Sequence, residues 1–338
     1  MVDLLQITRG LAAITVVFWH TIGHHGNLPP AINTAGRTAV WMFFGISGYV
    51  ISHGFIHGRY NFRFSSLGHF YRNRLLRIYP LFLVLSCFAW VTALLTTGVS
   101  PLQLRDLPAQ MFAIQFNHNY VLCGVFWTLG IELQLYVLAP LLIWPLLSRR
   151  YWVVAALALY AAVIFWYQYA VGHLGWSYDG RNLVSNLPHF LIGMIGCRLQ
   201  FSGAVTVKKA PIALLAGGIL VLAAIGVLGY TNWMYHRQPA QFWSVRGILW
   251  VDALILIVIF AHVNVAHGFP LKNWRLIYVV PALLGTLSYG IYAWHGYILQ
   301  YAPWFTERPW ETLGLTLLAA YGSYRLIEVP ALKLKRYS

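Results

Sequence analysis

A chain of 338 residues, 59% hydrophobic and only 9% charged, with a mean hydropathy of +0.63, is far more apolar than a soluble globular domain. Its formal net charge of +15 would point to nucleic acid in a soluble chain, but here the cations cluster between apolar runs that approach bilayer-spanning length. The composition therefore excludes a soluble domain and predicts an integral membrane protein with no nucleic-acid partner.

Ten apolar stretches read as membrane spans, at about 4–23, 36–57, 78–98, 125–147, 151–170, 184–200, 211–230, 245–265, 279–301 and 312–330. The expected fold is all-α: a polytopic bundle of about ten transmembrane helices, a single domain over residues 1–338 with no appended soluble domain. The start at Asp3 lacks a basic region and no small-residue cleavage pattern follows His20, so the first span is expected to be a retained helix and not a signal peptide. With the N-terminus inside, one set of loops and ends holds Arg59, Arg63, Arg72, Arg74, Arg77, Arg149, Arg150, Lys208, Lys209, Lys272, Arg275, Lys333, Lys335 and Arg336. The opposite set holds only Arg37, Arg105, Arg181, Arg237, Arg246 and Arg308. This excess of Lys and Arg predicts that both termini are cytoplasmic.

In the first span, Arg9 and His20 bound an apolar run. At about 100° and 1.5 Å per residue, His20 returns to within about 20° of Arg9, some 16 Å along the axis. Ionisable groups at membrane depth belong in a protein interior or a wet cavity, so the pair marks a functional site; the plain alternative is a snorkelling arginine and a histidine capping the far end. His24 and His25 have no Cys or acidic set at metal spacing beside them and read as a solvated loop. Cys87, Cys123 and Cys197 are far apart, and no GxGxxG, Walker A or HExxH pattern occurs, so neither a disulfide framework nor a metal is expected.

In the second span, Gly45, Ser47 and Gly48 are small enough for another backbone to approach. The third opens with Tyr71-Arg72-Asn73-Arg74-Leu75-Leu76-Arg77-Ile78-Tyr79-Pro80, where Arg74 and Arg77 share a face and Arg72 is near. Such a cluster either anchors to lipid phosphates or grips a polyanionic cytosolic ligand. Pro80 reads as a helix start or kink. The exterior segment at about 99–124 contains Met111-Phe112-Ala113-Ile114, which reads as an interfacial helix placed to roof a cavity.

The fourth span carries Glu132, one of only eight acidic residues, a turn from Thr128 and Tyr136. It needs a partner, for which Arg9 and His20 are the candidates, in a functional site or in a structural salt bridge. Asp252 in the eighth span is a buried acid without a local partner, and the ninth span adds a second intramembrane histidine, His295, near Tyr292. In the tenth, Arg325 and Glu328 stand three apart and are expected to pair with each other. Trp176, Trp233, Trp243, Trp304 and Trp310 near span ends read first as a membrane belt and second as sugar-stacking platforms.

Taken in order, the RGLAA opening of the Arg9-to-His20 helix, FFGISGYVIS, RNRLLRIYP, WTLGIELQLYVLAPLL, LSYGIYAWH and the closing IEVP resemble the acyltransferase-3 family of integral membrane O-acyltransferases, over essentially the whole chain. The resemblance implies a ten-helix domain similar to the short, membrane-only exopolysaccharide O-acetyltransferases of the bacterial inner membrane. It implies cytosolic acyl-CoA, expected to be acetyl-CoA, as co-substrate, and a hydroxyl of a glycan, lipid-linked sugar or other cell-envelope acceptor at the exterior face. It carries the family's first-helix Arg and His onto Arg9 and His20, its arginine motif onto Arg74, Arg77 and Pro80, and its fourth-helix Glu onto Glu132. Where the family shows two adjacent arginines this chain has Asn73-Arg74, with Arg72 one residue earlier, so Arg9, Arg72, Arg74 and Arg77 are all taken as donor-binding candidates.

On that reading His20 deprotonates the acceptor hydroxyl or accepts the acyl group itself, and Glu132 fixes its tautomer. Tyr136, His295 and Ser47 are further candidates. Membrane lipid, acyl-CoA and a glycan acceptor are the expected partners, with a homo-oligomer left open. The competing class is a proton-coupled transporter or flippase of a glycan or small metabolite, because intramembrane His, Glu, Asp and Arg also serve proton relays.

Overall fold

A computed structural model describes residues 3–22, 36–96, 123–174, 181–204, 210–268 and 275–337. Ten helices of 15 residues or more dominate these: α1 (Leu4–Thr21), α2 (Gly36–Ile56), α3 (Phe64–Thr96), α4 (Trp127–Leu146), α5 (Trp152–His173), α6 (Leu183–Phe201), α7 (Ala210–Arg237), α8 (Val245–Gly268), α9 (Arg275–Tyr301) and α10 (Pro309–Ser323). Among the described residues all regular structure is helical, and each long helix overlaps one of the ten expected stretches. His24, His25, Trp176, Lys208, Lys209, Lys272 and the Met111–Ile114 segment lie outside the described residues.

Among the described residues, six stretches are long and apolar enough to cross a membrane on their own: Gly36–Ile56, Phe64–Thr96, Gly124–Leu146, Trp152–His173, Leu215–Arg237 and Val245–Val265. The remaining helices are α1, α6 and α9, which carry inward arginines or histidines, and α10, which is short. The faces of α5 and α7 that point away from the bundle expose Val154, Leu157, Phe165, Leu215, Ile219 and Leu222, an apolar surface that suits lipid.

The largest difference from expectation is α3, which begins at Phe64 and runs through Pro80 without ending. Arg and Leu are strong helix formers, and a proline inside a membrane helix is tolerated where neighbouring helices satisfy the freed carbonyls. The long helix puts the arginine motif on the same rigid rod as the core positions Phe82 and Leu85.

The bundle is organised by backbone-to-backbone crossings. A Cβ added at Gly193 of α6 would run into the carbonyl of Gly45 on α2, and one at Gly48 would run into the carbonyl of Phe190. Gly10 and Gly285 make the same kind of approach between α1 and α9. The Gly45 and Gly48 contact is the one read from the sequence, and Gly193 is its partner. Gly193→Val is expected to destabilise by about 3 kcal/mol or more, because backbone cannot give way as a side chain can. Gly218→Val, which meets open space, is expected to be near neutral. Thermal melting in detergent separates the two, and equal melting points would refute the crossing.

Of two pairings raised by the sequence, one agrees with expectation and one differs. Asp252 finds partners on other helices: Tyr160 of α5 donates to Oδ2 at 2.5 Å, and His189 of α6 lies with Nδ1 2.6 Å from Oδ1. Arg325 and Glu328 do not pair: Arg325 is exposed and Glu328 buried. The chain widens into a π-turn at Tyr324–Glu328, which rotates the i+3 position away from its α-helical place.

Candidate active site

Two cavities lie along α1, at its opposite ends. The first, of about 200 Å³, is lined by Arg9 of α1, Ser47 of α2, Arg59 just after α2, Asn73, Arg74 and Arg77 of α3, Glu132 and Tyr136 of α4, Tyr289 and Tyr292 of α9, and Lys335 beyond α10. Five of these side chains are cationic and one, Glu132, is a carboxylate. The second, of about 470 Å³, is lined by Trp19, His20, Arg37, Trp127, Arg181, Tyr235, Trp243, Tyr292, His295 and Gln300, with glycines and aliphatic residues between them. Each is too large to be filled by a single water and has room for part of a ligand.

The helical period explains which arginines point inward. Arg74 and Arg77 stand three apart and share a face with Phe70 and Asn73, whereas Arg72 lies about 160° round the helix from Arg74. Arg72 accordingly is not among the residues that line the cavity, whereas Arg9, Arg74 and Arg77 are. The Arg74 guanidinium sits 5.4 Å from the Phe70 ring and 5.5 Å from the Tyr136 ring, and its buried Nε has no hydrogen-bond partner. A buried, unsatisfied guanidinium nitrogen in a cationic cavity is what an anionic ligand would complete.

Glu132 accepts a hydrogen bond from the Tyr136 hydroxyl and faces the cavity of Arg9. The expected pairing of Glu132 with His20 is corrected on this point, since His20 belongs to the other cavity. His20 Nδ1 lies 2.9 Å from the Val16 carbonyl. A carbonyl oxygen only accepts, so Nδ1 carries the proton and, in the neutral ring, Nε2 carries the lone pair. The first helix thus sets the tautomer that the sequence reading assigned to Glu132. The His295 ring stands 5.2 Å from His20, fully buried, with Nδ1 3.3 Å from the Ile291 carbonyl and Nε2 without a hydrogen-bond partner.

The walls around His20 are aromatic. Arg37 lies 4.4 Å from the Trp127 ring and 5.4 Å from Trp243, and Trp19 meets Tyr235 edge-on at 5.3 Å. Of the tryptophans read as a membrane belt, Trp243 therefore faces a cavity, while Trp233, Trp304 and Trp310 are exposed. Arg59 and Lys335 in the first cavity and Arg37 and Arg181 in the second were read from sequence only as loop charges. Each lies at or beyond a helix end, and its direction is set by packing between elements.

Val40 and Tyr292 line both cavities and form the partition between them. Tyr292 is pinned, its hydroxyl donating to the Val125 carbonyl at 3.0 Å and accepting from Thr128 Oγ1 at 3.1 Å.

A family model described as an acyltransferase domain matches residues 3–327. The chain belongs to that acyltransferase family. Among its relatives is "Nodulation protein 10" of Rhizobium leguminosarum bv. viciae, 28% identical over 88% of this chain and 82% of that protein. Another is "O-acetyltransferase OatA" of Staphylococcus aureus strain NCTC 8325 / PS 47, 26% identical over 96% of this chain but only 56% of the relative. The chain thus spans about half the length of that second relative. No solved structure matches significantly. In this acyltransferase Arg9, Ser47, Arg74, Arg77, Glu132 and Tyr136 gather in the cationic cavity and His20 and His295 in the aromatic one; of the residues singled out from sequence as site candidates, only Arg72 lies in neither.

Proposed function

We propose that this acyltransferase moves an acyl group, acetyl in the first instance, from cytosolic acyl-CoA in the cationic cavity to a hydroxyl of a cell-envelope glycan in the aromatic cavity. The observation that carries this is the pair of chemically different cavities on one helix, one crowded with cations and one walled by tryptophans, meeting at Val40 and Tyr292. Five cations against one carboxylate suit the phosphates of the donor, and guanidinium forks match phosphate oxygens bidentately. Tryptophan faces with Arg37, Arg181 and Gln300 around them suit a sugar, which offers apolar ring faces and a rim of hydroxyls. The printed name of the Staphylococcus relative, an O-acetyltransferase, supports the acetyl assignment.

In this reading all ten long helices cross a bacterial inner membrane and both termini are cytoplasmic. The loop charges support that orientation, because Arg59, Arg74, Arg77 and Lys335 belong to the cation-rich side. The donor's thiol arm reaches from the Arg9 end toward the partition. His20 Nε2 takes the proton of the acceptor hydroxyl, and the acceptor oxygen bonds to the thioester carbonyl carbon. The C–S bond then breaks, and the departing sulfur takes the proton from His20. A variant with two steps passes the acyl group through His20 Nε2 first. Glu132 and Tyr136 belong to the donor side, where the carboxylate offsets part of the crowded positive charge.

Purified protein in detergent is expected to convert acetyl-CoA to free CoA with no membrane gradient, and mass spectrometry of cell-surface glycans is expected to show an acetyl-sized loss when the protein is removed. A transporter or flippase would do neither, so silence in both assays sinks the proposal.

A further inference from the structure

After the π-turn at Tyr324–Glu328 and the short helix Val329–Leu332, the segment from Lys333 to Tyr337 folds back onto α3. Asn73, only 3% exposed, holds it through both backbone groups of one residue, Arg336. The Arg336 N–H donates to Asn73 Oδ1 at 2.9 Å, and Asn73 Nδ2 donates to the Arg336 carbonyl and, at 2.9 Å, to the Tyr60 hydroxyl. Tyr337 is fixed in turn, its ring 6.2 Å from Tyr60 and 5.3 Å from the Arg59 guanidinium.

Clamped at Arg336, the segment turns Lys335 inward. Lys333, Leu334 and Arg336 are exposed, whereas Lys335 is half-buried and lines the cationic cavity. It faces Arg59 and Tyr337 at the rim, Arg74 and Arg77 on α3, and Glu132 and Arg9 across the cavity. A lysine stem is flexible and could carry its charge to water, so holding it among arginines is unfavourable unless an anion joins them. Burial first, and then Arg77, Arg74 and Arg59, pushes its ammonium down to about 8.

We propose that the Lys333–Tyr337 segment is part of the donor site, with the Asn73 clamp presenting Lys335 to a phosphate of the nucleotide end of acyl-CoA. The segment lies outside the 3–327 stretch matched by the family model. The proposal rests on the donor reading of the cationic cavity given above.

The test uses the whole protein in phosphatidylcholine nanodiscs, with acetyl-CoA for kinetics and CoA for calorimetric binding. Lys335→Met is expected to raise the donor KM and weaken CoA binding by about tenfold or more, with a smaller effect on kcat. As pH rises through about 8 the wild-type Lys335 loses its charge and the donor KM climbs. Lys335→Arg keeps the low KM and moves the climb to higher pH, and Lys335→Met has a high KM with no climb there. Asn73→Ala releases the clamp without removing a charge and is expected to raise KM in the same direction.

If the wild type neither turns over acetyl-CoA nor binds CoA, it is the donor reading that fails. If the wild type does both and Lys335→Met matches it in KM, CoA affinity and pH profile, the Lys335 proposal is overturned. It is also overturned if added phosphatidylglycerol competes with CoA only when Lys335 is present while CoA affinity in phosphatidylcholine alone is unchanged, because the lysine then serves a lipid headgroup.

Discussion

His20→Ala is expected to lower kcat for acyl transfer by about 10²- to 10⁴-fold, the range supplied by a positioned general base, and by more if the acyl group passes through the ring. CoA binding is expected to be untouched, because His20 lines a different cavity from Arg9, Arg59, Arg74, Arg77 and Lys335. Steady-state kinetics on acetyl-CoA with calorimetry on CoA checks both halves. Intact turnover in His20→Ala would end the assignment, and equal losses in turnover and affinity would mean that the helix had been disturbed. Rapid quenching followed by peptide mass spectrometry distinguishes the two chemical routes, since only the two-step route leaves an acyl adduct on His20. His20→Gln keeps a polar side chain of related shape but offers no basic nitrogen, and is expected to be as inactive as the alanine variant.

Arg74→Met and Arg77→Met are each expected to raise the donor KM by about 10- to 150-fold, the equivalent of one hydrogen bond to a charged group. Arg74 should show the larger effect, because its buried Nε is unsatisfied without a ligand. Added salt should weaken the wild-type donor interaction, with a smaller effect in each variant. Arg72→Met is the control: its side chain points away from the cavity, and its KM is expected to stay near that of the wild type. An Arg72 effect as large as that of Arg77 would restore the lipid-anchor reading of the whole motif.

Much of the helical framework was legible because long apolar runs report membrane helices directly, and helical period alone put Arg9 with His20 and Arg74 with Arg77. A close backbone approach on α2 was legible too, from Gly45 and Gly48, but not that α6 makes it. The partners were not. Glu132 could meet either end of α1, and only the rotation of α4 against its neighbours decides that it joins Arg9 and not His20. Asp252 and His189 are 63 residues apart in the chain, with nothing local to connect them. Arg37, Arg59, Arg181 and Lys335 look like ordinary loop charges because their directions depend on contacts such as the Asn73 clamp, which no periodicity announces. The π-turn that separates Arg325 from Glu328 is likewise a tertiary choice: the sequence spacing is that of an α-helical pair.

Val40 and Tyr292 also bear on the electrical properties of the membrane. In the proposed orientation Val40 and Tyr292 are the shared wall of cavities at the two ends of α1, and with water in both cavities most of the membrane voltage would fall across a thin dielectric. Each elementary charge crossing that drop involves about 2.3 kcal/mol per 100 mV. On the proposed donor reading the phosphates stay in the cationic cavity and never make the crossing, and an acyl group leaving a thioester for an ester is neutral throughout. Transfer of the group is therefore indifferent to the membrane voltage, whereas movement of free acetate, an anion, would depend on it.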